Sequence, residues 1–149
     1  MSKVTNLDLA RAVLARAKRW LQGAQRALED RRWDDVVYAA QMTVELASKA
    51  VLLAAGIDFP KEHDVSAVFR QLSAKDVPAW FREKIEWMTE NITELARLRG
   101  LAGYGFEVGV DAEYFRDYAP QAYERARGHY ALCERLLRRL LRGRSRKSR

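Results

Sequence analysis

The chain has 149 residues, of which 48% are hydrophobic and 32% are charged, and this balance predicts one globular domain with a hydrophobic core. Its single cysteine, Cys133, excludes an intrachain disulfide and a cysteine-based zinc cluster, and it suits a reducing cytoplasm. No uninterrupted apolar run reaches the roughly 20 residues that span a membrane, and residues 1–20 lack the core of a signal peptide. We therefore expect a cytoplasmic protein without a membrane partner.

The net charge of +7 is concentrated at the C-terminal end of the chain. Residues 134–149 hold eight basic side chains and one acidic one, so the rest of the chain is electrically neutral. The candidate basic tail comprises Arg138, Arg139, Arg142, Arg144 and Arg146. Two interpretations stay open: a solubilising end whose cations suit the helix dipole, and a surface that attracts nucleic acid non-specifically.

Helical periodicity organises the first third of the chain. Thr5 or Asn6 can cap a first helix, whose apolar residues between positions 7 and 28 recur every 3.6 residues. A second helix is predicted over residues 33–55. Gly56 follows it and can adopt the positive φ that often ends a helix.

The second helix carries two apolar stripes, which predicts burial on more than one side and a central place in a bundle. Its middle also holds Glu45 and Lys49, whose i,i+4 spacing allows an ion pair. Two interpretations stay open here as well. The pair lies on a narrow solvated strip, or Glu45 faces a functional cleft.

Two further helices are predicted before the glycine-rich stretch. Asp64 can cap a short third helix over residues 65–72. Asp76 can cap a fourth helix that has Pro78 in its first turn. Four of the eight glycines then fall between positions 100 and 109, which predicts a turn there.

Pro120 predicts a fresh helix start, and the last helix then runs to about Arg142 and ends at Gly143. Residues 144–149 are predicted to be a basic disordered tail, which leaves residues 1–143 as one domain. No segment shows strand-like alternation of useful length. The sequence therefore predicts an all-α antiparallel bundle of four to five main helices plus one short helix.

Two arginines near the end of the fourth helix, Arg97 and Arg99, lie on different faces of it. Its apolar stripe is Phe81, Ile85, Met88, Ile92 and Leu95. The next position at this spacing is Arg99, whereas Arg97 lies off the stripe with Glu94 three residues before it as an ion-pair partner. A guanidinium that follows a buried face needs an anion, a cleft or an interface, because an unpaired buried charge is very costly.

The sequence gives little support for a metal site or a phosphate-binding loop. The two histidines, His63 and His129, do not form a ligand-spaced pair, so we predict no metal and no cofactor. The Lys-Ser or Lys-Thr pair of a P-loop is absent. What remains is Arg99 with Tyr104 five positions later. A guanidinium suits phosphate, and a phenol can stack on a base or donate a hydrogen bond.

Three blocks of sequence together resemble a HEPN domain (higher eukaryotes and prokaryotes nucleotide-binding). They are residues 32–56, residues 59–64 and residues 99–105, in that order. The resemblance covers about residues 7–141. It implies an all-α antiparallel bundle that often dimerises. Many members are metal-independent ribonucleases, others are non-catalytic partners, and small stand-alone members are often paired with a minimal nucleotidyltransferase in toxin–antitoxin systems.

Active members of that family carry an arginine and, after four to six intervening residues, a histidine. With four intervening residues after Arg99, the corresponding position is Tyr104, not a histidine. A tyrosine has a pKa near 10 and is a poor base at neutral pH. His63 or His129 replaces the missing histidine only if the fold brings it close to Arg99.

We therefore predict a nucleotide- or RNA-binding or complex-forming module that is homodimeric, is partnered by a nucleotidyltransferase antitoxin and has weak or no catalysis. Its predicted binding residues are Arg99, Tyr104, Glu45 and Arg97. The alternative is a metal-independent endoribonuclease, a toxin or defence effector, in which Arg99 binds the scissile phosphate and Tyr104 donates a hydrogen bond. A third possibility is a structural oligomer in which Arg99 bridges a carboxylate across a dimer.

Overall fold

A computed structural model describes residues 5–147 of the chain and the side chains of residues 5–143. Within this part the fold is all-α and has no strand. The helices are α1 (Asn6–Glu29), α2 (Trp33–Ala54), α3 (Ser66–Phe69), α4 (Ala79–Arg82), α5 (Ile85–Tyr104) and α6 (Ala119–Lys147). Short 3₁₀ turns cover Arg70–Ala74, Gly105–Val108 and Ala112–Phe115. The predicted helical bundle is confirmed: α1, α2, α5 and α6 are its long helices.

Helix α2 is the centre of the bundle, as its two apolar stripes predict. It packs against α1, α5 and α6. The first stripe is buried from Val37 to Val51, whereas Met42, Leu46 and Leu53 of the second stripe are only half-buried. Within the described residues α2 alone is long and apolar enough to cross a membrane, but 72% of its most apolar window is already buried in the bundle. Its apolar character is therefore accounted for by the core.

Helix α1 begins and ends with local motifs that the sequence encodes. Thr5 is the N-cap: its Oγ1 accepts from the Asp8 N–H at 3.1 Å, and the Asp8 carboxylate accepts from the Thr5 N–H at 3.0 Å. At the other end Arg31 has a φ of 61°, and the Arg32 N–H donates to the Ala27 carbonyl at 2.8 Å. This is the Schellman arrangement, and it turns the chain directly into α2.

The same motif ends α2, where Gly56 has the predicted positive φ of 72°. The Ile57 N–H donates to the Leu52 carbonyl at 2.9 Å, and the Gly56 N–H donates to the Leu53 carbonyl at 3.1 Å. A Cβ atom at Gly56 would meet no other atom within 4 Å. The conformation of the backbone, and not crowding, is therefore what favours glycine at this position.

The third predicted helix is shorter than expected, and the fourth is divided in two. Asp64 accepts from the Ser66 N–H at 2.9 Å, but the N-cap is Val65, and α3 gives way to a 3₁₀ turn after Phe69. The predicted cap at Asp76 is wrong, because Pro78 is the N-cap of α4 and no side chain caps it. The chain then breaks at Lys84, whose N–H donates to the Phe81 carbonyl three residues before it, and α5 begins only at Ile85.

Two predicted helix ends are also wrong. Helix α5 continues through the first two glycines of the glycine-rich stretch to Tyr104, and the turn comes at Gly109, whose φ is 79°. Helix α6 has the predicted fresh start, at Ala119, but its backbone continues past Gly143 to Lys147. The disorder predicted for residues 144–149 stays a prediction, and the side chains of Arg144 and Arg146 lie outside the described residues.

Replacing Gly56 with alanine should lower the free energy of unfolding by about 1 kcal/mol, because the left-handed backbone conformation is less favourable for alanine than for glycine. The control is Gly23→Ala in α1, where a Cβ atom also meets nothing within 4 Å but the backbone is helical. This variant should be more stable than the wild type by about 0.5–1 kcal/mol. Urea unfolding measures both. If both variants changed the free energy of unfolding in the same direction, the left-handed conformation assigned to Gly56 would be contradicted.

Candidate functional site

Arg99 lies on α5 facing α2, as the face analysis predicts, and three side chains of α2 hold it. Its Nη1 donates to Gln41 Oε1 at 2.8 Å and to Met42 Sδ at 2.9 Å, and its Nη2 donates to the Tyr38 hydroxyl at 2.8 Å. The guanidinium carbon also lies 4.6 Å from the centre of the Tyr38 ring. Every one of these partners is neutral. Among the described residues, Arg99 makes no ion pair.

Gln41 connects Arg99 to a carboxylate one helical turn along α2. The Gln41 side chain is almost fully buried, and its Nε2 donates to Glu45 Oε1 at 2.8 Å. Glu45 in turn accepts from Lys49 Nζ at 2.9 Å and lies 2.8 Å from His63 Nδ1. The result is a continuous hydrogen-bonded chain from Arg99 through Gln41 and Glu45 to Lys49 and His63.

Glu45 remains ionised in this chain although its side chain is buried. Burial by itself raises the pKa of Glu45, but hydrogen bonds from Gln41, Lys49 and His63 outweigh it, so the pKa lies below its ordinary value. The predicted Glu45–Lys49 ion pair is therefore present. It is more enclosed than a solvated strip implies, because the side chains of Glu45 and Lys49 are 8% and 16% exposed. His63 is the exposed end of the chain, at 54%.

The other two predicted binding residues lie outside this hydrogen-bonded chain. Tyr104 is 60% exposed, makes no hydrogen bond within the described residues, and has its ring 6.4 Å from that of Phe106. Arg97 is exposed as predicted, but its expected partner Glu94 pairs with Arg125 at 3.0 Å. Residues two positions apart on a helix point about 200° apart, so Arg97 and Arg99 face opposite sides of α5.

The buried histidine belongs to the core. His129 Nε2 lies 2.8 Å from Ser48 Oγ, and its Nδ1 lies 3.4 Å from Asn91 Nδ2. This arrangement resembles a Ser-His-Asn triad, but all three side chains are fully buried, so no substrate reaches Ser48. Burial lowers the pKa of His129 to about 3, which keeps the imidazole neutral. His129 is therefore a structural residue, and His63 is the histidine connected to Arg99.

Arg125 fixes the orientation of this buried group. Its Nη1 donates to Asn91 Oδ1 at 3.2 Å, so the Asn91 amide nitrogen is the atom that faces His129. Asn91 then donates to His129 Nδ1, and the Nε2–H of His129 donates to Ser48. One surface arginine thus determines the hydrogen bonds that join α2, α5 and α6 in the core.

A glycine of the predicted turn shapes the Arg99 site from within α5. A Cβ atom at Gly103 would lie 3.0 Å from a ring carbon of Tyr38. The absence of a side chain there lets the Tyr38 ring lie against α5, one turn beyond Arg99. The sequence does hold a signal for this site. Non-aliphatic side chains recur at helical spacing along one face of α2, namely Tyr38, Gln41, Met42, Glu45 and Lys49. Of these, only Glu45 and Lys49 are charged and so stand out within an apolar helix.

The basic residues of the last helix are dispersed over its surface. Arg138 donates to Glu134 at 2.9 Å, and Arg139 and Arg142 are exposed. Arg135 lies with its guanidinium carbon 3.9 Å from the centre of the Trp80 ring. None of these side chains forms a contact with Arg99 among the described residues. The part of the chain that the structure describes also has no group of three or more His, Cys, Asp or Glu side chains able to hold a metal ion.

The helical bundle agrees with what sequence comparison finds. The family model described as "HEPN domain" matches residues 10–136, which is most of the chain. The chain therefore belongs to the HEPN family, and the resemblance stated from its three sequence blocks is confirmed.

One curated relative comes from Methanocaldococcus jannaschii and carries the name "Putative toxin". It is 40% identical to this chain over 67 residues, which are 45% of this chain and 43% of the relative. The match thus spans less than half the length of that relative. No solved structure matches the chain significantly.

Replacing Glu45 with glutamine should lower the free energy of unfolding at pH 7 by about 2 kcal/mol, because Lys49 loses its carboxylate partner. The pKa of Glu45 is lower in the folded chain, so its stabilising effect is present above the unfolded pKa near 4.3 and is lost as pH falls through the folded pKa. The difference between wild type and variant should therefore narrow from pH 5 to pH 3 in urea unfolding.

The matched control for this measurement is Glu124→Gln, which removes an exposed i,i+3 pair with Arg127. Its effect should stay below about 0.5 kcal/mol at every pH. A destabilisation by Glu45→Gln that is as large at pH 3 as at pH 7 would contradict the role given to the Glu45 carboxylate.

Proposed function

We propose that this HEPN-family chain is a nucleotide- or RNA-binding module that holds a phosphate group at Arg99 and has weak or no catalytic activity. The observation that carries the proposal is the state of Arg99. It is a half-buried cation held in place by three neutral side chains and has no carboxylate partner among the described residues. A positioned but unneutralised guanidinium favours an anionic ligand.

The hydrogen-bond inventory of Arg99 supports a phosphate in particular. A guanidinium has five N–H groups, and Gln41, Met42 and Tyr38 use three of them. Two donors remain for a ligand, which is the number that a bidentate arginine–phosphate contact uses. Because Gln41 and Tyr38 also fix the side chain, little of its rotamer freedom is left to lose on binding.

Weak or absent catalysis is the better proposal because of Tyr104. Its phenol is 60% exposed and forms no hydrogen bond with Arg99 among the described residues, and a phenol is a poor general base at neutral pH. His129 is buried and neutral, so it contributes no acid–base chemistry at the surface. These observations favour binding over cleavage.

Homodimerisation, a nucleotidyltransferase antitoxin as partner and a cytoplasmic location complete the proposal. Family resemblance supports the first two, and the name of the archaeal relative supports a toxin-type role. The exposed apolar side chains Tyr104, Phe106, Val108 and Tyr114 support the presence of a contact surface near the C-terminal end of α5.

A second candidate, a metal-independent endoribonuclease, is favoured by one observation. His63 is exposed and is connected through Glu45 and Gln41 to Arg99, so an imidazole and a phosphate-binding arginine belong to one hydrogen-bonded chain. In this candidate Arg99 binds the scissile phosphate. Either Tyr104 donates a hydrogen bond to the substrate, or His63 acts as the general base that accepts the proton of the ribose 2′-hydroxyl.

Replacing Arg99 with alanine should weaken binding of a fluorescent single-stranded RNA about tenfold or more, because two charge-assisted hydrogen bonds to phosphate are lost. The slope of log affinity against log salt should also become shallower by about one, which corresponds to the loss of one phosphate contact. Fluorescence anisotropy at several salt concentrations measures both quantities. Arg99→Lys should recover the salt slope but only part of the affinity, since lysine lacks the planar fork.

The control is Arg16→Ala, which removes an exposed cation of α1 and should leave affinity nearly unchanged. If Arg16→Ala and Arg99→Ala reduce affinity equally, binding is a general effect of positive charge and the proposed site is wrong.

Purified protein incubated with total cellular RNA in EDTA should show little or no cleavage. Robust cleavage that leaves 2′,3′-cyclic phosphate ends and disappears in Arg99→Ala would replace the binding proposal with the endoribonuclease. In that event two further variants show which side chain assists Arg99. Loss of cleavage in His63→Ala alone identifies His63 as the acid–base group, and loss in Tyr104→Phe alone identifies Tyr104 as the hydrogen-bond donor.

A further inference from the structure

A second arginine-lined groove lies on the side of α5 away from Arg99. It has a volume of about 460 Å³ and runs between α5, α6 and the start of the 3₁₀ turn after α3. Three arginines line it, namely Arg70, Arg97 and Arg125, together with Thr93, Glu90 and Glu94. Three arginines therefore face two glutamates in the lining, and Glu86 pairs with Arg70 from outside it.

Arg125 is held in this groove by the protein core. Its Nη1 donates to Asn91 Oδ1 at 3.2 Å and pairs with Glu94 at 3.0 Å. Asn91 is fully buried and is itself hydrogen-bonded to His129. The guanidinium consequently has a fixed position at the groove, which distinguishes it from a freely moving surface arginine.

Arg97 is the complementary, unneutralised cation. It is exposed, and it makes no ion pair or hydrogen bond with any other described residue. Arg70 is partly neutralised by Glu86 at 3.5 Å. The groove thus combines one fixed arginine with one free arginine, a pairing that suits an oxyanion with several acceptor oxygens.

The Tyr118 hydroxyl lies beside the same charges. It is buried and makes no hydrogen bond of ordinary length with any described residue. Burial raises the pKa of Tyr118, and the charge of Glu94 and a weak hydrogen bond to its carboxylate raise it further, whereas the charges of Arg125 and Arg97 lower it. A buried hydroxyl needs a hydrogen-bond partner, and the Glu94 carboxylate is shared between this phenol and Arg125.

We propose that the Arg97–Arg125 groove is a second anion site that binds a phosphate group. The incoming phosphate takes the place of Glu94 on Arg125 and also accepts from Arg97. Glu94 then strengthens its weak hydrogen bond with the Tyr118 hydroxyl, so that neither the carboxylate nor the phenol is left unpaired. This site does not depend on Arg99, which points to the opposite side of α5.

The exchange of partners by Glu94 makes the proposal testable with three substitutions. Arg97→Ala should weaken phosphate binding about tenfold, because a charge-assisted contact is lost. Tyr118→Phe should weaken binding about threefold or more while the melting temperature stays equal or rises, since it removes a buried hydroxyl that is only weakly hydrogen-bonded. Glu94→Gln should tighten binding, because it removes the carboxylate that competes for Arg125. A residue with a structural role alone would not give tighter binding on substitution.

Isothermal titration calorimetry with the full chain is the measurement. The probes are inorganic phosphate, adenosine 5′-monophosphate and a single-stranded uridine oligonucleotide, and they distinguish a free phosphate, a nucleotide and an RNA backbone as the source of the group. Each is titrated into wild type, the three variants and the control Arg16→Ala, and again in the Arg99→Ala background. The expected result is an Arg97-dependent site in both backgrounds for at least one probe.

Three outcomes would overturn the proposal. The first is the same affinity for every probe in wild type and Arg97→Ala. The second is Tyr118→Phe and Glu94→Gln both binding as the wild type does. The third is binding that disappears in Arg99→Ala but persists in Arg97→Ala, a result that retains the function proposed for Arg99 and removes this second site.

Discussion

The amide of Gln41 is the group on which the arrangement of the candidate site depends. A primary amide has one acceptor end and one donor end, and here the acceptor end faces Arg99 while the donor end faces Glu45. It therefore connects a cation to an anion without letting the two meet. If a carboxylate stood at this position, it would neutralise Arg99 directly; an apolar residue would remove one hydrogen bond from Arg99 and one from Glu45. The unneutralised state of Arg99 is a property of this amide.

Helix α2 meets two demands that conflict in most helices. It must be apolar on the sides that face α1, α5 and α6, because it supplies the centre of the core. It must also place Tyr38, Gln41, Glu45 and Lys49 along one line. The helix reconciles these demands by keeping every polar atom on that line paired within the line or to Arg99 and His63. The cost of burying charge is thus offset locally, and the buried polar residues off that line, Thr43 and Ser48, are neutral and hydrogen-bonded.

What the sequence predicted correctly is local, and what it missed depends on contacts between distant segments. The Thr5 cap, the positive φ at Gly56, the stripe from Phe81 to Leu95 and the position of Arg99 all follow from residues within a few turns of one another. The neighbours of Arg99 are some 58 residues away, and no spacing rule identifies them. The continuation of α5 through Gly100 was missed because packing overrode the low helix propensity of glycine, whereas no glycine or proline in the sequence marks the helix break at Lys84. The motif spacing predicts Tyr104 beside Arg99, but five helical positions place it about 140° around α5 from Arg99.

The helix α5 presents its arginines in two directions, and this has a consequence for any polyanionic ligand. Arg99 faces α2, whereas Arg97 faces the groove shared with Arg125 about 200° around the helix. A helix with its side chains is roughly 10 Å across, so one phosphate cannot contact both arginines. A mononucleotide would occupy the two sites independently, with affinities that do not influence each other. An RNA strand long enough to pass around the exposed C-terminal end of α5 would contact both, and the second contact would then be intramolecular and favoured by effective concentration. The dependence of affinity on strand length therefore separates two unrelated anion sites from one extended nucleic-acid surface.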